Sequence, residues 1–440
     1  MFGTSGVRGG FGTDVTVDLA VAIGRALVAD GAERIVLGRD PRTTGPLLAD
    51  ALSAAVRESG GGVIDCGMVA TPTLARAVAW RDADAGVMIT ASHNPPEDNG
   101  IKLWTPSGMA FDEARRDRIA GLVEVDEYEP AEWDAVGTAS AWGGATKRHH
   151  EAIVDAVAPI EELSVVVDIG NGAGGVTAGA LRDLGCSVET LNAEPDGHFP
   201  SRPSEPTAEA CETLQALVGA TDADLGIAHD GDGDRMMAVD ETGQFIGGDA
   251  LLALFGRRAA GEGDVVAAPL NTSLAVDDTL AEVGASLTRT CVGDVFVAER
   301  AREDDVVFGG EPSGAWIWPD ETLAPDGPLA AATLAALVDR DGPLSGLVAE
   351  LPSYPLRRES IEVADKRGVM ETVSTRSSTE YDSVETLDGV RVEREDGWFL
   401  VRASGTQPLV RITAEGRTEA ATTVLYDEAR VLVEDAIDAQ

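Results

Sequence analysis

Three short apolar runs, each followed by a turn and an Ala/Leu-rich helical pattern, constrain the fold of this chain most strongly. The runs are Arg34-Ile-Val-Leu-Gly38, Ser164-Val-Val-Val-Asp168 and Asp264-Val-Val-Ala-Ala268. Continuous apolar runs of this length are typical of buried parallel strands, whose return connection is usually a helix. Each run therefore predicts the first strand and helix of an α/β unit, and together they favour three related mixed α/β domains.

The C-terminal part of the chain follows a different pattern. Beyond Leu351-Pro-Ser-Tyr-Pro355, alternating segments such as Gly389-Val-Arg-Val-Glu393 indicate a smaller α+β domain, closed by a helix over residues 419–439. The length of 440 residues suggests roughly two to four domains. We predict four domains, spanning residues 1–140, 141–245, 246–352 and 353–440.

The charge balance excludes several classes of function. The chain carries 34 Lys+Arg against 76 Asp+Glu, a net charge of −42. A scattered acidic excess repels phosphate backbones and anionic lipid, so we expect neither nucleic acid nor a membrane as partner. High salt weakens the repulsion among these negative charges, so the composition indicates a protein adapted to a salty cytoplasm.

We expect a cytoplasmic protein, because the N-terminus lacks an apolar signal and no run approaches the roughly 18 apolar residues of a membrane span.

A serine loop is the first candidate site. Thr90-Ala-Ser-His-Asn-Pro95 follows an apolar strand, Gly86-Val-Met-Ile89, and ligands of open α/β sheets bind at the carboxyl ends of strands. Ser92 is a candidate nucleophile, although Ser and Asn also cap helices. Lys102 is one of three lysines among the 34 basic residues, which suggests a titratable amine rather than an exposed lysine of no role. His93 is a candidate for proton transfer or a prop of the loop.

An aspartate-rich turn is the second candidate site. Asp230-Gly-Asp-Gly-Asp-Arg235 lies between two apolar segments. Carboxylates at alternate positions, separated by glycines, can converge on one hard cation, and without a cation they would repel one another. Asp230, Asp232 and Asp234 are therefore candidate metal ligands. The spacing imitates a calcium EF-hand, but Arg235 stands where that loop needs glycine, and the flanks read as strands.

Two further loops carry groups suited to a sugar phosphate. Gly309-Gly-Glu-Pro-Ser-Gly314 offers Glu311 and Ser313 to vicinal hydroxyls, although an ordinary loop has the same pattern. Arg402-Ala-Ser-Gly-Thr-Gln-Pro-Leu-Val-Arg411 combines two arginines, two hydroxyls and a glycine turn. That combination suits a phosphate dianion, and a hairpin turn is the alternative. Arg8, near the N-terminus, is a further candidate cation.

Taken together, these motifs resemble the α-D-phosphohexomutase family over nearly the whole chain. The motifs in order are Gly3-Thr-Ser-Gly-Val-Arg-Gly9, Thr90-Ala-Ser-His-Asn-Pro95, Asp230-Gly-Asp-Gly-Asp-Arg235, Gly310-Glu-Pro-Ser-Gly314 and Arg402-Ala-Ser-Gly-Thr-Gln-Pro408. Smaller similarities are Gly38-Arg-Asp-Pro-Arg42, Asp196-Gly-His-Phe-Pro200 and Val292-Gly-Asp294. The resemblance implies an intramolecular phosphotransferase with four domains that close over a central cleft.

The resemblance also implies a role for each candidate residue. Ser92 would be a phosphoserine in the active form, and its phosphate would bind Mg²⁺ together with Asp230, Asp232 and Asp234. Lys102 would serve in proton transfer, while Arg8 and Arg235 would neutralise the transferring group. Glu311 and Ser313 would bind the sugar. The phosphate that is not transferred would be held by Arg402, Ser404, Gly405, Thr406 and Arg411.

Two positions depart from the family pattern. Ala315 stands where the family often has a histidine, which removes the usual second acid/base candidate. Gln407 replaces a carboxylate in the last motif, and we expect only altered support of that loop.

The expected reaction interconverts hexose 6-phosphate and hexose 1-phosphate through a bisphosphorylated sugar. Conversion of glucosamine 6-phosphate to glucosamine 1-phosphate is the favoured assignment, and phosphomannomutase or phosphoglucomutase activity is the alternative. A Mg²⁺-dependent sugar phosphatase and a non-catalytic phosphosugar-binding protein are rivals from other classes. We expect a monomer or homodimer.

Overall fold

Four sheets follow one another along the chain. The computed structural model describes Gly3 and residues 6–125, 128–404 and 408–439. Three sheets mix parallel and antiparallel strands, and the fourth is wholly antiparallel. This arrangement confirms the predicted fold class. Within the described ranges no helix is long and apolar enough to cross a membrane, and the cytoplasmic location stays a prediction.

The first domain has helices on both faces of a six-stranded sheet. Its elements are β1 (Val7–Gly10), α1 (Val17–Ala29), β2 (Arg34–Arg39), α2 (Gly45–Glu58), β3 (Gly62–Met68), α3 (Thr71–Trp80), β4 (Ala85–Ile89), β5 (Asp98–Trp104), α4 (Glu113–Val125) and β6 (Ala139–Ala141). The strand order is β1-β5-β4-β2-β3-β6. Along β2, Ile35 and Leu37 pack with α1 and α2, whereas Val36 packs with α3. Because both faces are covered, the strand reads as a continuous apolar run.

The second domain carries the aspartate turn between two antiparallel strands. Its elements are α5 (Ala145–Ala156), β7 (Ser164–Asp168), α6 (Val176–Leu184), β8 (Ser187–Leu191), α7 (Glu212–Ala220), β9 (Leu225–His229), β10 (Met236–Asp240) and β11 (Phe245–Ile246). The strand order is β11-β10-β9-β7-β8. Residues 230–235 connect β9 to β10 directly, so the flanks are strands and not the helices of an EF-hand.

The third domain shares an apolar core with the second. Its elements are α8 (Gly248–Ala259), β12 (Val265–Pro269), α9 (Leu274–Glu282), β13 (Ser286–Thr290), α10 (Asp294–Arg300), β14 (Val306–Glu311), β15 (Ala315–Ile317), α11 (Gly327–Asp341) and α12 (Leu344–Ala349). The strand order is β13-β12-β14-β15. One cluster of buried side chains runs from Val165 and Leu181 of the second domain to Phe255 and Trp316 of the third.

The fourth domain packs two helices on an antiparallel sheet. Its elements are β16 (Leu356–Glu362), α13 (Lys366–Glu380), β17 (Val384–Glu385), β18 (Val390–Arg394), β19 (Gly397–Ala403), β20 (Leu409–Gly416) and α14 (Glu419–Asp438). The strand order is β16-β20-β19-β18-β17. The strand predicted near residues 389–393 and the final helix are therefore confirmed.

A buried carboxylate joins the fourth domain to the third. Glu415 is 2% exposed and accepts hydrogen bonds from Ser273 Oγ (2.6 Å), the Leu274 amide (2.7 Å) and Trp398 Nε1 (2.9 Å). A small apolar cluster of Leu270, Leu274, Trp398 and Leu400 lies beside these bonds. This joint between the domains is small and rich in directional contacts.

Candidate active site

Ser92 lies directly after β4, with its hydroxyl on the aspartate turn. Its Oγ donates to Asp230 Oδ2 at 2.7 Å, and the side chain is almost fully buried. The backbone adopts φ = 52°, a conformation that costs a non-glycine residue free energy and is found mainly where the surroundings enforce it. The Ser92 amide donates to Thr90 Oγ1 at 2.8 Å, which helps to hold this conformation.

A buried arginine, Arg42, supports the serine loop through the carbonyl groups of that loop. The Arg42 guanidinium donates to the carbonyls of Ser92 (2.9 Å), Asn94 (2.6 Å) and Asp98 (2.8 Å). Its Nε pairs with Asp40 at 3.0 Å. Burial raises the pKa of Asp40 to about 6, although Arg42 opposes that shift. Neither residue was among the candidate site residues predicted from the sequence. Their motif, Gly38-Arg-Asp-Pro-Arg42, was the available signal.

The three aspartates converge as predicted. One oxygen from each of Asp230, Asp232 and Asp234 lies within 4.8 Å of the others, and all three side chains are buried. Burial and the neighbouring carboxylates raise the pKa of Asp230 well above its ordinary value, and they also raise that of Asp234. Burial acts the same way on Asp232, but the Lys102 ammonium outweighs it and lowers the pKa of that carboxyl.

The trio fits a hard divalent cation. Carboxylate oxygens are the donors that Mg²⁺ prefers. Asp232 Oδ1 is buried and has no hydrogen-bond partner among the described residues, although an unpaired buried oxygen is costly. The predicted metal ligands are therefore gathered at one point, and one of their oxygens lacks a partner that a cation would supply.

Lys102, on β5, reaches the same point from the first domain. Its Nζ donates to Asp232 Oδ2 and Asp234 Oδ2, both at 2.8 Å. Burial alone would lower the pKa of Lys102, but these two carboxylates outweigh burial and raise it. The amine is thus held as an ammonium, and the two carboxylates hold its proton more tightly than water would.

His93 and Arg8 complete the first-domain side of the site. His93 Nδ1 is 3.5 Å from Ser92 Oγ. Burial, with the nearby cations Arg235 and Arg8, lowers the pKa of His93 to about 2, so its imidazole is neutral and has a low affinity for a proton. Arg8 Nε is buried without a hydrogen-bond partner among the described residues.

The absence of a side chain at residue 231 lets the serine loop approach the aspartate turn. A Cβ built on Gly231 would lie 2.5 Å from Ser204 Oγ and 2.8 Å from the Ser92 carbonyl oxygen. Ser204 Oγ itself donates to that carbonyl at 2.9 Å. Only glycine fits between these groups without displacing them.

Arg235 and residues 309–314, the loop predicted to bind the sugar (the sugar loop), face each other across the second and third domains. Arg235 pairs with Glu205 at 3.5 Å and lies opposite Ala315 in an isolated β-bridge. Glu311 Oε1 accepts from the Gly293 amide (2.7 Å), and Oε2 accepts from Ser313 Oγ (3.2 Å). Burial and Asp294 raise the pKa of Glu311 to about 7, against an opposing effect of Arg235.

The residues predicted to hold a phosphate dianion, here called the phosphate cradle, lie in the fourth domain. Arg402 and Arg411 are directly paired on β19 and β20, so both cations stand at one end of the hairpin. Ser404 is buried, and its carbonyl accepts from Lys366 Nζ at 2.7 Å. Lys366 was not among the residues predicted from the sequence to support this loop. Two predicted cradle residues, Gly405 and Thr406, lie outside the described residues, as does Gln407.

A short chain of contacts links the cradle to the sugar loop. Arg402 Nη1 is 3.3 Å from Asp388 Oδ2, which also accepts from the Val292 amide at 3.2 Å. The next residue, Gly293, donates to Glu311. The arginine of the cradle and the carboxylate of the sugar loop are thus connected through one bend of the third domain.

Comparison with known proteins matches four family models to this chain. The phosphoglucomutase/phosphomannomutase alpha/beta/alpha domains I, II and III match residues 1–129, 147–243 and 247–354, and the C-terminal domain of that family matches residues 357–431. The chain belongs to the phosphoglucomutase/phosphomannomutase family. The predicted α-D-phosphohexomutase membership and the prediction of a mutase of the isomerase class are confirmed.

Individual members of the family cover almost the full chain. A Methanopyrus kandleri protein named "Probable phosphoglucosamine mutase" is 48% identical over 435 residues, 97% of this chain and 96% of that protein. One of the same name from Methanosarcina acetivorans is 45% identical over 441 residues, 99% of each. A crystal structure of a phosphoglucomutase/phosphomannomutase family protein from Burkholderia thailandensis has a TM-score of 0.88 at 29% identity, covering 99% of this chain and 98% of that one.

Proposed function

We propose that the protein interconverts glucosamine 6-phosphate and glucosamine 1-phosphate, with Ser92 as the phosphoryl carrier. The observation that carries the proposal is the 2.7 Å contact between Ser92 Oγ and Asp230, within a buried carboxylate trio. The names of the relatives from Methanopyrus kandleri and Methanosarcina acetivorans support the choice of amino sugar. Phosphomannomutase or phosphoglucomutase activity is the second candidate, because the matching family models carry both names.

The proposed reaction has two phosphoryl transfers. In the first, the Oγ–P bond of phospho-Ser92 breaks and an O–P bond to the free sugar hydroxyl forms, while the hydroxyl proton passes to a nearby acceptor. In the second, the other sugar O–P bond of the bisphosphate breaks and an O–P bond to Ser92 Oγ forms. The Ser92 oxygen, which took up a proton as the leaving group of the first transfer, gives that proton up, and the released sugar oxygen takes up a proton. Lys102 and His93 are our candidates for moving these protons, because both lie beside the Ser92 hydroxyl or the aspartates that face it.

Charge control is the main demand of this chemistry, since the transition state spreads negative charge over three equatorial oxygens. Mg²⁺, held by Asp230, Asp232, Asp234 and the serine phosphate, would supply part of the neutralisation. Arg235 and Arg8 would supply further positive charge. Arg402 and Arg411, with Ser404, Gly405 and Thr406, would hold the phosphate that is not transferred in both orientations of the sugar, because they recognise a dianion and not a particular carbon.

The test is a coupled assay with the 1- and 6-phosphates of glucosamine, mannose and glucose, in high salt with Mg²⁺. Wild type, Ser92→Ala and the exposed-site control Ser286→Ala are compared, and intact mass reports a phosphoryl group on Ser92. We expect the highest kcat/KM with glucosamine phosphates and loss of activity only in Ser92→Ala. An unchanged rate in Ser92→Ala removes the carrier assignment, and faster turnover of mannose or glucose phosphates selects the second candidate. Inorganic phosphate without isomerised product would instead indicate a phosphatase.

A further inference from the structure

Asp326 lies where the first three domains meet. It is fully buried at the N-cap of α11, in the third domain. Its Oδ2 accepts from Arg76 Nε of the first domain at 2.9 Å and from His149 Nε2 of the second at 3.0 Å. Arg76 and His149 are themselves buried. A single carboxylate therefore ties three domains together away from solvent.

The carboxylate and its partners form a connected set. Asp326 Oδ1 accepts from the Leu329 amide at 3.0 Å, which caps α11, and His149 Nδ1 is 2.7 Å from Thr73 Oγ1 on α3. Burial would raise the pKa of Asp326, but His149 and Arg76 outweigh burial and lower it. Asp326 is thus a charged group, and removing one partner of such a buried pair is costly.

The helix α3, which carries Thr73 and Arg76, begins on the aspartate turn, residues 230–235, which is the proposed metal-binding turn. Its first residue, Thr71, donates from Oγ1 to Asp232 Oδ2 at 2.6 Å and from its amide to the Asp232 carbonyl at 2.9 Å. Thr73, in the first turn of the same helix, contacts His149, and Arg76, in the next turn, donates to Asp326. The position of Asp232 is therefore coupled to the position of α3.

The helix α11, which Asp326 caps, begins against the other side of the same turn. A Cβ on Gly327 would lie 2.6 Å from the Arg235 carbonyl oxygen and 2.9 Å from that of Gly233. This contact leaves no room for a side chain between the helix and the turn. Residues 230–235 are thus enclosed between the first residues of α3 and α11, and Asp326 bonds to the one helix and caps the other.

We propose that Asp326 is a positioning residue for the metal-binding turn, fixing the spacing of α3 and α11 so that Asp230, Asp232 and Asp234 converge. It would act through the two helices and would not touch the metal. The metal affinity in this inference rests on the proposed function, whereas the packing does not. Losing an outer partner of a metal site typically weakens metal binding by ~10- to 100-fold, and we expect about 10-fold here because Asp326 acts at one remove.

The test is titration calorimetry of Mn²⁺ and Mg²⁺ binding to the dephosphorylated protein, with urea unfolding in parallel. Asp326→Asn keeps an N-cap oxygen and removes the charge. Thr73→Val removes only the hydroxyl that contacts His149, and it serves if Asp326→Asn does not fold. Asp277→Asn is the matched control, because it removes an ion pair distant from the metal-binding turn, with Arg289 at 2.8 Å between α9 and β13.

We expect a dissociation constant for Mn²⁺ about 10-fold higher in Asp326→Asn, a smaller rise in Thr73→Val and no change in Asp277→Asn. Unchanged metal affinity in both test variants, with only lower stability, would overturn the positioning role. A uniform loss of affinity in Asp277→Asn as well would also overturn it, because general destabilisation would then explain the effect. If wild type itself binds neither metal, the proposed metal site fails, and this outcome is distinct from failure of the inference.

Discussion

The buried carboxyl of Glu311 makes the stability of this protein depend on pH in a way that a single substitution should remove. Burial raises the pKa of Glu311 from 4.5 to about 7. Between these two values the folded protein keeps a proton that the unfolded chain has released. The free energy of unfolding therefore falls as pH rises through this window, and it falls by about 3 kcal/mol at 1.36 kcal/mol per pKa unit.

Glu311→Gln mimics the protonated form and keeps an oxygen that can accept from the Gly293 amide. We expect equal stability of variant and wild type near pH 4.5, and a variant more stable by about 3 kcal/mol above pH 7. Urea unfolding of the metal-free protein at several pH values measures this difference. Glu371→Gln, at a mostly exposed position on α13, is the control and should follow the wild-type profile. A constant difference between Glu311→Gln and wild type across the whole range would refute the reasoning.

Three further perturbations test other parts of the structure. Gly231→Ala should lower kcat by about 100-fold in the coupled assay, since a Cβ 2.8 Å from the Ser92 carbonyl must displace the serine loop. Glu415→Ala should lower the free energy of unfolding by roughly 3 kcal/mol in urea titrations followed by tryptophan fluorescence, because Ser273, Leu274 and Trp398 each lose an acceptor. Raising KCl from about 0.1 M to about 1 M should raise the Tm of a chain with net charge −42, because the Debye length falls from ~10 to ~3 Å, and an unchanged Tm would contradict the predicted salt adaptation.

The parts of the site that the sequence predicted well are local in the chain. Asp230, Asp232 and Asp234 converge because alternate residues of one short turn need no distant partner to come together. The three apolar runs became β2, β7 and β12 for a similar reason, since burial on both faces leaves its mark on consecutive residues.

The parts that the sequence did not predict depend on contacts between distant segments. Arg42 supports carbonyls about fifty residues further along the chain, and Asp326 meets Arg76 across 250 residues. No periodicity or spacing in a single sequence reports such pairs. The same holds for Glu415, whose partners include Ser273 in a different domain.

The unequal joints between domains have a consequence for motion. The second and third domains share one continuous apolar core, so they should move as a single rigid body. The fourth is held by oriented bonds, such as those of Glu415 with Ser273 and of Arg417 with Asp278, and by a small apolar cluster, and an interface of this kind switches between discrete arrangements. The arginines Arg402 and Arg411 should therefore alternate between two discrete positions, and the lifetime of the docked one should set how long a doubly phosphorylated sugar is retained while it turns around.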